Sequence, residues 1–138
     1  MNNTALVNEL SAAYVNEVAK TINAQMFASV ENKFVVWSWG LSRRFATVYK
    51  NMPALGLRVS GLLHKGYVYI CYNEGRDVYE VYCTNLKGAV KKSNNEVYCD
   101  NLGFVLDGMI ERDYSMNDET YKGKALRDSA EKMGMKVI

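Results

Sequence analysis

The chain has little of several things that usually announce a function. Its 138 residues hold one proline, one histidine and three cysteines. With Pro53 the only proline and no low-complexity run, neither a disordered segment nor a linker is expected. At this length one domain is the expectation, burying roughly two-thirds of its unfolded surface. No apolar run approaches the ~20 residues of a membrane span, so no membrane partner is expected. The opening stretch, MNNTALVNEL, has neither a basic n-region nor an apolar h-region. A cytoplasmic protein without a secretory leader is the expectation.

The scarcity of metal-ligand types excludes further classes. Cys71, Cys83 and Cys99 are an odd set with no closely spaced cysteine or histidine partners. They read as reduced thiols, mostly small buried hydrophobes, rather than as a disulfide or a zinc site. The glycines are scattered singly, and none forms a phosphate-cradling G-x-G-x-x-G or G-x-x-x-x-G-K-[ST] loop. No cofactor is expected. His64, the one side chain that titrates near neutral pH, has no carboxylate nearby in sequence to orient it as a base. It reads as a surface residue beside a turn, and no catalytic residue is assigned.

What is abundant is tyrosine, with ten, concentrated in residues 57–83, LRVSGLLHKGYVYICYNEGRDVYEVYC. This stretch reads as a three-stranded meander, with Lys65-Gly66 and Glu74-Gly75 as two-residue hairpin turns that use glycine at positive φ. In that register Tyr67 lies opposite Tyr82 and Tyr69 opposite Glu80. One face then carries Val59, Leu63, Val68, Ile70, Tyr79, Val81 and Cys83. The other carries Arg58, Ser60, Leu62, His64, Tyr67, Tyr69, Glu80 and Tyr82. Moving the second turn by one residue would mix polar and apolar sets, so the segregated register is preferred.

Around the meander, residues 4–28 have helical spacing through Val7, Leu10, Tyr14, Val18, Ile22 and Met26, with Asn3 or Thr4 as the cap. Phe34–Trp39 and Phe45–Tyr49 read as two extended segments, which would put Trp37 and Trp39 on one face. That aromatic pair is either core packing or a binding platform. Pro53 marks the turn into the meander, Ala89–Lys92 a short edge strand, and Ser93-Asn94-Asn95 a loop. Asp100–Asp113 is expected to be helical with Asp100 as cap, and Ser115 to about Met133 a further helix. The fold class is therefore α+β: an antiparallel β-meander of about 4–6 strands with an N-terminal helix and two C-terminal helices packed against it.

Two constellations remain. Asp100, Asp107 and Glu111 fall on one helix face, at a spacing that suits magnesium or manganese. That face opposes the apolar stripe and is expected to lie in water, so no metal site is assigned. The other is the Tyr-rich sheet face, Arg58, His64, Tyr67, Tyr69 and Tyr82. Rings beside cations suit single-stranded nucleic acid and equally suit protein interfaces. The net charge is +2, and residues 34–92 hold nine basic against three acidic side chains. The reading is a non-enzymatic binding or accessory protein, inhibitory ones included, acting through a protein partner or as a homodimer. Single-stranded nucleic-acid binding comes second and an enzyme of unknown type third.

Overall fold

The computed structural model describes residues 10–30 and 33–112. Helix α1 spans Ala12–Ala28. It begins at Ala12 rather than residue 4, because Leu10 lies in a bend and Ser11 is extended, its hydroxyl accepting from Tyr14 N at 3.2 Å. Asn3 and Thr4 lie outside the described residues. Val15, Ala19, Ile22 and Met26 form its buried stripe, and the helix lies across the first two strands of the sheet.

Lys33–Ser38 is a short helix, α2, and not the expected strand. A six-residue apolar run carries no periodicity that separates the two states. Gly40, at φ 65°, then reverses the chain where a β-carbon would come within 2.6 Å of the Ser60 carbonyl oxygen. The sheet follows as β1 (Arg43–Tyr49), β2 (Met52–Ser60), β3 (Lys65–Asn73), β4 (Val78–Thr84) and β5 (Val90–Val97). Its order is β1-β2-β3-β4-β5 with every neighbour antiparallel, an open meander. Helix α3, Leu102–Ile110, closes the described chain. The fold is α+β as expected; the second C-terminal helix falls outside the described residues.

The turns sit elsewhere than expected. The β1–β2 turn is Lys50-Asn51, both at positive φ, and Pro53 is already inside β2 opposite Val48. The β2–β3 turn is residues 61–64, closed by Gly61 N on His64 O at 2.9 Å, which leaves Lys65 and Gly66 in β3. Residues 74–77 form the next turn, so Tyr67 faces Thr84, Tyr69 faces Tyr82 and Glu80 faces Cys71. This is two residues away from the expected register. A shift of two preserves side-chain parity, so the face segregation stands. Residues 93–95, expected as loop, belong to β5.

The inner face holds Leu55, Leu57, Val59, Val68, Ile70, Tyr79, Val81, Cys83 and Val97 in one cluster with α1, Val36, Trp39 and the Leu102, Leu106 and Ile110 stripe of α3. Leu63 does not join it; it lies exposed in the turn. Asp100 is not the cap of α3, since Asn101 occupies that position and its Oδ1 accepts from Tyr98 N instead. The α3 amide of Gly103 donates to Ser29 Oγ at 2.8 Å, from the end of α1. A β-carbon at residue 103 would stand 2.5 Å from Val30 Cγ1, so the glycine permits this approach.

Candidate functional site

The outer sheet face is built from the residues that alternate with the core set. From β1 come Arg43, Phe45 and Tyr49, from β2 Arg58, from β3 Tyr67, Tyr69 and Cys71, and from β4 Glu80 and Tyr82. Cross-strand pairing brings their rings together. Tyr49 stacks on Tyr69 with centroids 4.3 Å apart and planes at 8°. Tyr82 lies 5.4 Å from Tyr49, Tyr67 lies 6.1 Å from Tyr69, and Phe45 meets Tyr67 and Tyr69 edge-on. Phe45 lies over Gly56, where a β-carbon would come within 2.3 Å of its ring; the missing side chain is the ring's seat.

Three of the rings carry a cation. Arg43 sits over Phe45 at 5.0 Å, Arg58 over Tyr67 at 5.4 Å and Lys50 over Tyr82 at 4.3 Å. Glu80, the carboxylate in this layer, is turned to internal partners: Tyr82 donates its hydroxyl at 2.5 Å and Asn73 its amide at 2.7 Å. The Tyr82 hydrogen bond, with Asn73, Arg76 and Lys50 adding to it, holds the Glu80 carboxyl below the usual range against its partial burial. Burial and Glu80 push the Tyr82 phenol up, and burial pushes the Cys71 thiol up to about 12. Cys71 is therefore an inert filler beneath the rings and not a nucleophile. Phe45, Tyr49, Tyr67 and Tyr69 are half-buried.

The expected site residues divide accordingly. Arg58, Tyr67, Tyr69 and Tyr82 share the outer face, with Tyr82 nearly buried within it. Phe45, Tyr49, Arg43 and Lys50 were missed as members. The signal for Arg43, Phe45 and Tyr49, period-two alternation in RRFATVY, was present, but it could be placed only once β1 was known to flank β2; Lys50 lies in the turn, outside that alternation. His64 is not the expected surface residue. It is buried in the β2–β3 turn with Nε2 3.2 Å from the Tyr67 carbonyl oxygen, and burial lowers its pKa. Trp39 is fully buried and donates Nε1–H to Asp107 Oδ1 at 2.9 Å; Trp37 packs half-buried on Phe27, centroids 6.0 Å apart. Trp39 thus belongs to the core cluster, while Trp37 is half-buried outside it.

The carboxylate face of α3 is a second correction. Asp107 and Glu111 are buried, not solvated: Asp107 receives Trp39, and Glu111 Oε2 accepts from the Leu62 amide at 2.7 Å. Glu111 ties the end of α3 to the β2–β3 turn, where the Leu63 and His64 amides also donate to Ile110 O. Among the described residues no group of three or more His, Cys, Asp or Glu side chains is placed to hold a metal. No described helix is long and apolar enough to cross a membrane. Compared with known protein families, curated proteins and solved structures, the chain matches none of them.

Proposed function

We propose that the protein is a non-enzymatic binding protein that engages a protein partner through the outer face of its sheet. The supporting observation is the capped ring layer. Phe45, Tyr67 and Tyr82 each carry a cation on one face, and Tyr49 and Tyr69 spend faces on each other. The layer therefore offers ring edges, phenol hydroxyls and guanidinium groups, the groups enriched at protein interfaces. Base stacking needs open ring faces and would have to displace those cations first. With Glu80 satisfied internally, the outward charge is positive, which suits a partner surface bearing carboxylates.

The test compares the parent with Tyr67→Ala and Arg58→Glu. Both should retain the parent's melting temperature within a few degrees, and both should lose a partner that the parent captures from host lysate. A labelled single-stranded oligonucleotide titrated at low and physiological salt is the control. Tight binding at low salt that collapses steeply with added salt and disappears in Tyr67→Ala would replace this reading with the nucleic-acid one.

A further inference from the structure

The two edges of the sheet differ. Strand β5 is blunted: its pairing with β4 shifts register at Tyr79/Val81 and at Cys83/Thr84, and Lys91 and Lys92 lie along it. Strand β1 has none of these devices along most of its length. It pairs with β2 residue for residue from Arg43↔Arg58 to Tyr49↔Met52, has neither proline nor glycine, and carries charge only on its first two residues.

The turn fixes which backbone groups β1 leaves open. A two-residue hairpin with both turn residues at positive φ closes on a hydrogen-bonded pair, here Tyr49↔Met52. Counting back in steps of two, Arg43, Phe45 and Thr47 bond to β2. Arg44, Ala46 and Val48 turn their N–H and C=O groups to the free edge, and the side chains of all three are exposed.

We propose that β1 is a self-pairing edge: two copies of this chain join β1 to β1, antiparallel, about a two-fold axis at Ala46. Such a contact is isologous and extends one sheet through both copies. The charge pattern fits this occupant: a strand charged only at Arg43 and Arg44 can pair antiparallel with its own copy without opposing like charges along the ladder. The Arg44 guanidinium meanwhile stays on Asn23 Oδ1 at 2.8 Å and over Phe27. With Ala46 opposite its own copy, Arg44 meets Val48 and Arg43 meets Tyr49, so each positive end lies on the other strand's uncharged end. Centring on Arg44 would oppose two arginines, centring on Thr47 would set Arg44 against Lys50, centring on Phe45 would form only about four ladder hydrogen bonds within β1, and centring on Val48 would run the pairing into the turn. The Ala46 register forms about six ladder hydrogen bonds with no like charges opposed. It also sets Arg43 beside the second copy's Tyr49, repeating the cation-on-ring contact that Arg58 makes with Tyr67. This surface is the strand edge and does not depend on the outer face binding anything.

The experiment is light scattering and sedimentation of the full chain over a concentration series. A dimer is expected. Ala46→Pro should make it monomeric with an unchanged far-UV spectrum, because the lost donor points away from β2. Two further variants decide the matter if the proline disturbs folding. Val48→Lys places like charge against Arg44 of the second copy and should weaken dimerisation several-fold, whereas Val48→Glu should tighten it several-fold. A parent that stays monomeric throughout the series, or a dimer indifferent to Ala46→Pro and to both Val48 variants, overturns the proposal.

Discussion

Two side chains define what is at stake at the residue scale: Trp39 and His64. The Trp39 indole joins a hydrogen bond across 68 residues of chain to Asp107, in a site closed to water. Trp39→Phe keeps most of the apolar surface but removes a donor from a buried carboxylate, which should cost about 1–3 kcal/mol. Asp107→Asn, which still offers Nε1–H an acceptor, should cost less; equal losses in urea denaturation would show that the hydrogen bond is not what matters there. His64 supplies a pH signature. Burial favours its neutral form, so the folded pKa lies below the ordinary 6.5, although hydrogen bonds to the Tyr67 and Thr84 backbone partly offset this. Between the folded pKa and 6.5 the unfolded chain binds more protons than the folded one. Stability from this group is therefore full above 6.5 and is lost as pH falls through that window. Denaturation curves at pH 7.5 and 5.5 should show the parent weaker at the lower pH, with a smaller difference in His64→Gln. Neither role was legible in the sequence. A histidine beside glycine and lysine reads as a turn residue, and carboxylates off an apolar stripe read as solvated. The Asp107 and Glu111 carboxylates meet donors that arrive from far along the chain, the Trp39 indole and the Leu62 amide, and His64 turns its ring inward onto the Tyr67 carbonyl.

Among the elements, strand faces were legible and turns were not, for a definite reason. Face membership depends only on parity, and the parity of Val68, Ile70, Val81 and Cys83 survives a register displaced by two. Turn position depends on which residues accept positive φ, and here Lys50, Asn51 and Asp77 accept it without being glycine. Of the two glycines that suggested turns, Gly75 lies in one and Gly66 does other work. Gly66, at φ 146°, lies in β3 where a β-carbon would stand 2.2 Å from the Thr84 carbonyl oxygen. Gly75 sits in the 74–77 turn, where an added β-carbon would meet nothing nearer than Asn73 Oδ1 at 3.7 Å. The two should respond oppositely to alanine. Gly66→Ala forces backbone against backbone and should cost several kcal/mol or prevent folding. Gly75→Ala should be neutral or stabilise by about 0.4–1 kcal/mol through the unfolded chain. Thermal melts of the pair settle the point, and a destabilised Gly75→Ala would restore the glycine-dependent hairpin that the sequence suggested.

For the whole molecule, the question is whether the helices and the sheet unfold as one unit. The inner cluster draws on every described helix: Ala19, Ile22 and Met26 from α1, Val36 from α2, and Leu102, Leu106 and Ile110 from α3, all against β2, β3 and β4. Polar contacts interlock the same elements. Ser29 at the end of α1 receives the Gly103 amide, Lys92 Nζ donates to the carbonyl oxygens of Leu63 and Met109, and Glu111 holds the Leu62 amide. With the apolar contacts shared in this way, no helix can leave without opening the others' packing, so a single cooperative transition is expected. Ile22 is the position to test it, since it is fully buried yet lies on α1, the first of the described elements. Ile22→Ala removes apolar atoms at the seam between α1 and the sheet and should cost about 2–5 kcal/mol. Tryptophan emission reports on Trp39 and Trp37 beside α2, while far-UV circular dichroism reports on all helices and strands. In the parent and in Ile22→Ala the two signals should melt at the same denaturant concentration, and the variant should move both midpoints down together. Loss of helical signal ahead of the tryptophan transition would mean that α1 unfolds as a separate piece, and the shared cluster would then not be the unit of stability.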